Sequence, residues 1–282
     1  MSCCDPCADL ASIKSDLAEL KAKMTLLLQH CGPQTPPGGG GAGEITVDAV
    51  TFNGTNDYLT RGSDFTSNAD GSQFILSTWV RLAAAPGSFT IVANTDGWVF
   101  IGINASGFYC AVFNEAADRF LDVTDNTVSL GDGNWHHIAL SIDTNFAAGN
   151  KLVKLAIDGT AKTPTVTDGD GAFNIDFTQA NWAVGATTSA AELFNGDMAE
   201  LYLALNQYLD VTQAANNQKF RSSGGKPVNL GADGSTPTGT APTVYLHLDD
   251  GEAAANFAAN AGSGGGMTVN GALATAATSP SD

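Results

Sequence analysis

Charge is scarce in this chain of 282 residues, and positive charge most of all. Only 15% of residues are charged, 12 Lys and Arg stand against 29 Asp and Glu, and the formal charge is −17. Such an excess of acid repels polyanionic nucleic acid and anionic membrane surfaces, so neither is an expected partner. Long apolar runs are also missing. No stretch reaches the roughly 20 apolar residues that span a bilayer, and membrane insertion is not expected. The opening Met1-Ser2-Cys3-Cys4-Asp5 has neither the basic region nor the following apolar run of a secretory signal, so release by cell lysis fits better than general export. Histidine is limited to His30, His136, His137 and His247, and neither a His-Glu-x-x-His pair nor a Gly-x-Ser-x-Gly elbow occurs.

Cysteine is sparse and uneven. Cys3, Cys4, Cys7 and Cys31 flank one N-terminal segment, Cys110 stands alone, and the odd total excludes a fully paired intrachain framework. Between those four cysteines, Leu10, Ile13, Leu17, Leu20, Met24, Leu27 and Cys31 recur in steps of three and four, with heptad a at 10, 17, 24 and 31 and d at 13, 20 and 27. Asp5 suits an N-cap and Pro6 the first helical position, while Gly32-Pro33, Pro36-Pro37 and four glycines end the helix. A helix docked on the body would show a similar stripe, but it would not need the flexible tether that follows. Leu26 and Leu28 widen the stripe, and Leu at a with Ile at d departs from the dimer preference, so a parallel homotrimer is expected. The organisation read from the sequence is an attachment tip at 1–9, a coiled-coil helix at 10–31, a Gly/Pro linker at 32–43 and a globular body at 44–282. The tip cysteines Cys3, Cys4 and Cys7 would attach the rod to another protein or lock the trimer by interchain disulfides.

From Glu44 the hydrophobic period changes to two. Strands are expected at Val47–Phe52, Phe74–Leu82, Thr90–Ala93, Trp98–Ile103, Phe108–Phe113, Phe120–Val123, His136–Asp143, Leu152–Asp158, Trp182–Gly185 and Met198–Leu205, separated by turns such as Asn53-Gly54 and Asp158-Gly159. Many short strands with frequent turns mean an all-β sandwich or barrel. A short helix is expected at Val211–Arg221, a loop at Ser222–Pro242, and closing strands at Val244–Leu248 and Met267–Leu273. Cys110 shares a strand face with Phe108 and Val112 and reads as a buried free thiol.

Four segments resemble the laminin-G/concanavalin A-like superfamily in the order that family uses. They are Phe52-Asn53-Gly54-Thr55-Asn56-Asp57-Tyr58-Leu59, Phe74-Ile75-Leu76-Ser77-Thr78-Trp79-Val80, Gly133-Asn134-Trp135-His136-His137-Ile138-Ala139-Leu140, and Phe194-Asn195-Gly196-Asp197-Met198-Ala199-Glu200-Leu201-Tyr202 followed by Leu209-Asp210-Val211-Thr212. Together they span residues 45–222. The resemblance implies a concanavalin A-like antiparallel β-sandwich, or jelly roll, whose concave face commonly binds glycans. Residues 224–234 (Gly-Gly-Lys-Pro-Val-Asn-Leu-Gly-Ala-Asp-Gly) and the segment from Asn270-Gly271-Ala272-Leu273 to Ser279-Pro280 resemble the C-terminal part of bacteriophage laminin-G-like structural proteins. That resemblance implies a head or tail fibre or decoration protein on the virion surface, joined through its N-terminus to capsid or tail proteins.

Three functions follow from these readings: a fibre that presents the sandwich to cell-surface or environmental glycans, a purely structural decoration protein, and a glycan hydrolase. Glucanases of this fold resemble one another in a Glu-x-Asp-x-x-Glu strand that sets two carboxylates on one face, about 5 Å apart. No such strand is present. Asp197 and Glu200, three apart, lack the even spacing that one strand face requires, and Glu44 with Asp48, four apart, do not reproduce the Glu-x-Asp-x-x-Glu pattern, so no enzyme is expected. For glycans, Trp98, Tyr109 and Trp182 are the candidate stacking residues, because sugar C–H faces pack on aromatic rings. His136 and His137 should point to opposite faces of their strand as structural residues. The family resemblance also implies a calcium ion. Asp57 stands at the matching opening position, although it also suits a turn hydrogen bond. In the late strand the family's acidic position falls on Ala199, and the neighbouring Glu200 should face the other way by alternation.

Overall fold

Residues that alternate apolar and polar bury one face of a strand, and two such sheets then close on each other. The computed structural model of this chain describes residues 43–282 apart from 83–86, 115, 117–119, 147–149 and 170. The heptad residues Leu10 to Cys31, the cysteines Cys3, Cys4 and Cys7, and the linker as far as residue 42 lie outside the described residues. The body belongs to one unit, Gly41–Asp282.

Sheet one contains β1 (Val50–Asn53), β3 (Gln73–Arg81), β8 (Trp135–Phe146), β9 (Asn150–Ile157), β10 (Thr160–Lys162), β13 (Asn195–Leu205), β14 (Val244–Leu246) and β16 (Ala274–Thr275). Its order is β10-β9-β8-β3-β13-β1-β16, with β14 also paired to β13. Sheet two contains β2 (Tyr58–Arg61), β4 (Ser88–Asn94), β5 (Val99–Asn104), β6 (Gly107–Phe113), β7 (Phe120–Asp125), β11 (Thr165–Asp168), β12 (Trp182–Val184) and β15 (Thr268–Asn270), in the order β11-β7-β6-β5-β4-β12-β2-β15. Every ladder is antiparallel. The sandwich therefore has the expected fold class.

Each of the ten strands expected before residue 206 has a counterpart. Four short ones, β2, β10, β11 and β16, carry too little alternation to be seen; β11, for example, is exposed along its whole length. The expected helix at Val211–Arg221 shrinks to one turn, α1 (Ala214–Asn217). Asp210 begins that segment as a turn instead, its Oδ1 accepting the N–H (3.0 Å) and the hydroxyl of Thr212.

The main core lies between the sheets. Phe74, Leu76, Val80, Ile138, Leu140, Met198 and Leu203 from sheet one meet Leu59, Ile91, Ile101, Phe108, Cys110, Val112, Leu121 and Val184 from sheet two in one buried cluster. Each such side chain contributes about 1.5–3 kcal/mol by leaving water. Cys110 is a free, buried thiol beside Phe108 and Val112, and burial pushes its pKa up.

The outer faces of the two sheets differ. On sheet one, Ile75, Ala139, Tyr202 and Ala204 are sealed under Val211, Phe220, Val228 and Leu230, so β3, β8 and β13 are buried on both sides. That cover explains the two histidines. They do lie on opposite faces, and His137, on the outer one, is the more deeply buried of the pair. Its Nε2 sits 2.8 Å from Ser77 Oγ, and desolvation, reinforced by nearby Arg221, lowers its pKa to about 3. His136 is held by Asp158 (2.7 Å) and Asp132 (3.1 Å), and the bond to Asp158 raises its pKa. Sheet two has no comparable buried cluster on its outer side among the described residues.

Candidate functional site

The site is built on that outer face of sheet two by register. Gly102 pairs with Tyr109, Tyr109 with Thr124, and Thr124 with Thr165, which makes one row across β5, β6, β7 and β11. The next row is Phe100, Ala111, Asp122 and Thr167. A third begins where Phe113 N–H donates to Trp98 O (2.8 Å) and continues through the Phe113–Phe120 pair. Their neighbours along each strand, Val99, Ile101, Phe108, Cys110, Val112, Leu121 and Val123, point into the core, so alternation turns these rows outward. Trp98, Phe100, Tyr109, Ala111, Phe113, Phe120, Asp122 and Thr124 are all partly exposed.

Two aromatic groups result. Tyr109 stacks on Phe100 with centroids 5.1 Å apart and planes at 23°. The Trp98 ring meets the Phe113 edge at 6.2 Å, and Phe113 lies 6.2 Å from Phe120. The groups sit two residues apart at β5, from Trp98 to Phe100, and four apart on β6, from Tyr109 to Phe113, roughly 7 Å and roughly 13 Å. Between them lie the small Ala111 and the Asp122 carboxyl, whose pKa is raised by partial burial.

Tyr109 is fixed in place. It lies over Gly102, where an added Cβ would approach the Tyr109 hydroxyl to 2.8 Å and Phe89 O to 2.4 Å, so no larger residue fits without a shift. Its hydroxyl is 3.1 Å from Ser88 Oγ and donates to Glu192 Oε2 at 3.1 Å. Burial, followed by the Glu192 charge, raises its pKa, and the phenol stays neutral. At the β5–β6 turn, residues 104–107, Asn126 and residues 128–131 line a further hollow of about 140 Å³. Rigid ring faces beside carboxyl and hydroxyl groups suit a ligand with apolar patches and many hydroxyls.

Trp98 and Tyr109 thus lie on one face, the outer face of sheet two. Trp182 is a correction. It lies on β12, fully buried and pointing inward against Phe65 at 4.8 Å, so neither face of its ring is open to a ligand. Phe113, Phe120, Asp122 and Glu192 were not picked out from the sequence. Alternation from Tyr109 along β6 would have found Phe113, whereas Phe120 faces it only through the pairing of β7 with β6 and Glu192 comes from a loop, so neither carries such a signal.

The residues proposed for calcium do not fit the ion. Asp57 is buried, and both its oxygens are engaged: Oδ2 accepts the Asn53 N–H (3.2 Å) and Oδ1 the Ala272 N–H (2.9 Å), tying the opening turn to the β15–β16 connection. Glu200 does not simply alternate with Ala199. A bulge between Ala199 and Tyr202 gives Glu200 a φ of 51°, and its Oε2 accepts from the Tyr245 hydroxyl (2.9 Å) in the outer cluster. Desolvation raises its pKa to about 8, so it is uncharged at neutral pH. Calcium requires six to eight oxygens, several of them charged. Among the described residues no group of three or more His, Cys, Asp or Glu is arranged to hold a metal.

A laminin G family model, described as the concanavalin A-like lectin/glucanases superfamily, matches residues 53–207, more than half of the chain. The chain belongs to that superfamily. Among solved structures, a candidate carbohydrate binding protein from Bacteroides ovatus shares the fold at TM-score 0.51 and 16% identity, over 83% of this chain and 61% of its own. This chain thus spans about three-fifths of that protein's length. A heptameric SAP-like pentraxin from Limulus polyphemus aligns at TM-score 0.47 and 9% identity, over 83% of this chain and 96% of its own. The CBM40 domain of a Ruminococcus gnavus sialidase, bound to α2,3-sialyllactose, aligns at TM-score 0.41 and 15% identity, over 62% of this chain and 100% of its own. No curated protein matches the chain. Superfamily membership accounts for the order of the four sequence segments.

Proposed function

We propose that this protein is a non-catalytic, glycan-binding fibre or decoration protein of a bacteriophage virion, trimeric through its N-terminal coiled coil and attached to capsid or tail proteins by its tip. The observation that carries the glycan reading is the asymmetry of the sandwich. One outer face is closed by the chain's own later residues, while the other carries two aromatic groups flanking a carboxyl. Membership of a lectin/glucanase superfamily supports it, as does a shared fold with a candidate carbohydrate binding protein. Three copies on one stalk would turn weak single sites into useful avidity. The virion role rests on the resemblance of residues 224–234 and 270–280 to phage structural proteins.

The non-catalytic reading is supported by what occupies Asp197 and Glu200, one of the two carboxylate pairs considered for hydrolysis. Asp197 accepts from Arg81 Nε (2.7 Å) and Thr51 Oγ1 (2.6 Å), and Glu200 is buried under Tyr245. Neither is free to serve as nucleophile or acid.

A glycan array probed with the full chain and with the Trp98→Ala/Tyr109→Ala double variant tests the proposal. Aromatic contacts contribute about 0.5–1.5 kcal/mol each, so the double variant should bind its glycans about tenfold or more weakly. An unchanged array pattern would refute this face as the site. Silence of the wild type across the array would favour a decoration protein without a ligand.

A further inference from the structure

A cavity of about 410 Å³ opens on the opposite side of the sandwich from the aromatic face, at the end of sheet one where β3 and β8 meet the last residues of the chain. Its lining includes Trp79, Arg81, Trp135, Arg221, Lys226 and Thr278. Three of only 12 Lys and Arg therefore gather at one hollow of a protein with formal charge −17. Two of them are engaged. Arg81 is paired with Asp197, its Nη2 at 2.5 Å, and Lys226 Nζ donates to the backbone oxygens of Ser281 (2.8 Å) and Asp282.

Arg221 differs. Among the described residues no hydrogen bond or ion pair holds its guanidinium, and its Nε is buried without a partner. Arg61, by contrast, donates to Asp64 O, Gly266 O and Thr66 Oγ1. Arg221 is half-buried, its Nε is shut off from water, and the fold leaves room for the rest of its guanidinium. A Cβ on Gly159 would come within 2.9 Å of Nη1, and one on Gly225 within 2.8 Å of Nη2. The backbone carrying Arg221 is set by its bridge to Pro227.

A second donor points the same way. Trp79 is only 3% exposed, and its indole Nε1–H also lacks a partner. The nearby carboxylates are committed elsewhere: Asp158 accepts from His136 Nδ1 and the His137 N–H, and Asp282 from the Ser279 N–H. The Trp135 ring is partly exposed, with Nε1 bonded to Thr278 Oγ1 (3.2 Å) and Arg81 5.9 Å from the ring centroid.

We propose that this cavity is a second binding site, one that takes a carboxylate-bearing sugar such as a hexuronate. The sugar carboxylate accepts from the Arg221 fork, the charge-assisted geometry that guanidinium groups favour. The apolar face of the sugar ring rests on Trp135. The volume falls in the range of small-ligand pockets. A bare inorganic anion would satisfy Arg221 but leave the indole face unused, which is why an acidic sugar fits better.

The test is a titration of the full chain with sodium glucuronate, glucose and sodium phosphate at constant ionic strength, followed by tryptophan fluorescence and ligand-observed NMR. Glucuronate should saturate and bind more tightly than phosphate, and glucose should give no response. Arg221→Gln should weaken glucuronate about tenfold or more, the scale of a lost charge-assisted bond. Trp135→Leu, which leaves the guanidinium in place, should weaken it as well and serves if Arg221→Gln fails to fold. Tyr109→Ala should leave it unchanged, which separates this site from the aromatic face. Equal binding of glucose, equal binding of phosphate, no saturable response to glucuronate, or full affinity in a folded Arg221→Gln protein would each overturn the proposal.

Discussion

Replacing the buried carboxyl of Glu200 should make the protein more stable at neutral pH. Glu200 sits on the β13 bulge with Oε2 bonded to Tyr245 and Oε1 without a partner. Desolvation, opposed by the Tyr245 bond and aided by the Asp249 charge, raises its pKa from 4.5 to about 8. Between those values the native state keeps a proton that the unfolded chain releases. Stability from this group is therefore fully present below pH 4.5 and is lost as pH rises, until the loss levels off near pH 8. At about 1.4 kcal/mol per pH unit, the loss reaches about 3 kcal/mol by pH 7. Glu200→Gln keeps the shape and an acceptor for Tyr245 but has no proton to lose. The variant should match the wild type below pH 4.5 and exceed it by about 3 kcal/mol at pH 7, roughly 6–12 °C in Tm for a body of this size. His137, lowered to about 3, works in the opposite sense, since its stability is lost as pH falls below 6.5. His136, raised by Asp158, adds its own loss as pH rises above 6.5. Both act equally in the two proteins, so the difference between their melting curves across pH 4 to 9 isolates Glu200. A difference that does not grow with pH, or a variant less stable at pH 7, would refute the reasoning.

Two further outcomes are expected. Melting curves with millimolar calcium and with chelator should superimpose, because Asp57 is buried with a backbone N–H on each oxygen and Glu200 is neutral; a rise of several degrees with calcium would reveal a site these residues do not explain. Leu17→Asp, which places one charge per chain on the axis of the proposed trimer, should convert the full chain to monomers in sedimentation analysis; a monomeric wild type at micromolar concentration would reject the trimer.

The amino-acid sequence by itself determined the period of the chain, and with it the sandwich. Val99, Ile101 and Ile103 face inward while Phe100 faces outward because alternate side chains of a strand leave on opposite sides. The same rule placed Cys110 beside Phe108 and Val112 and put His136 and His137 on opposite faces. Alternation cannot say which side of a strand meets water when both sides are apolar. Trp182-Ala183-Val184 is buried throughout, and only its place between β4 and β2 turned the indole toward Phe65. Glu200 escaped for a related reason: one extra residue in the ladder resets the count, and a bulge depends on the partner strands as well as on local composition. The tertiary structure also decided which sheet is open. Val211, Phe220, Val228 and Leu230 cover sheet one, so the aromatic rows of sheet two were left to face solvent. The Arg221 cavity has the same origin, because Trp79, Trp135, Gly159, Arg221 and Gly225 meet only after residues far apart in the chain pack across one sheet end.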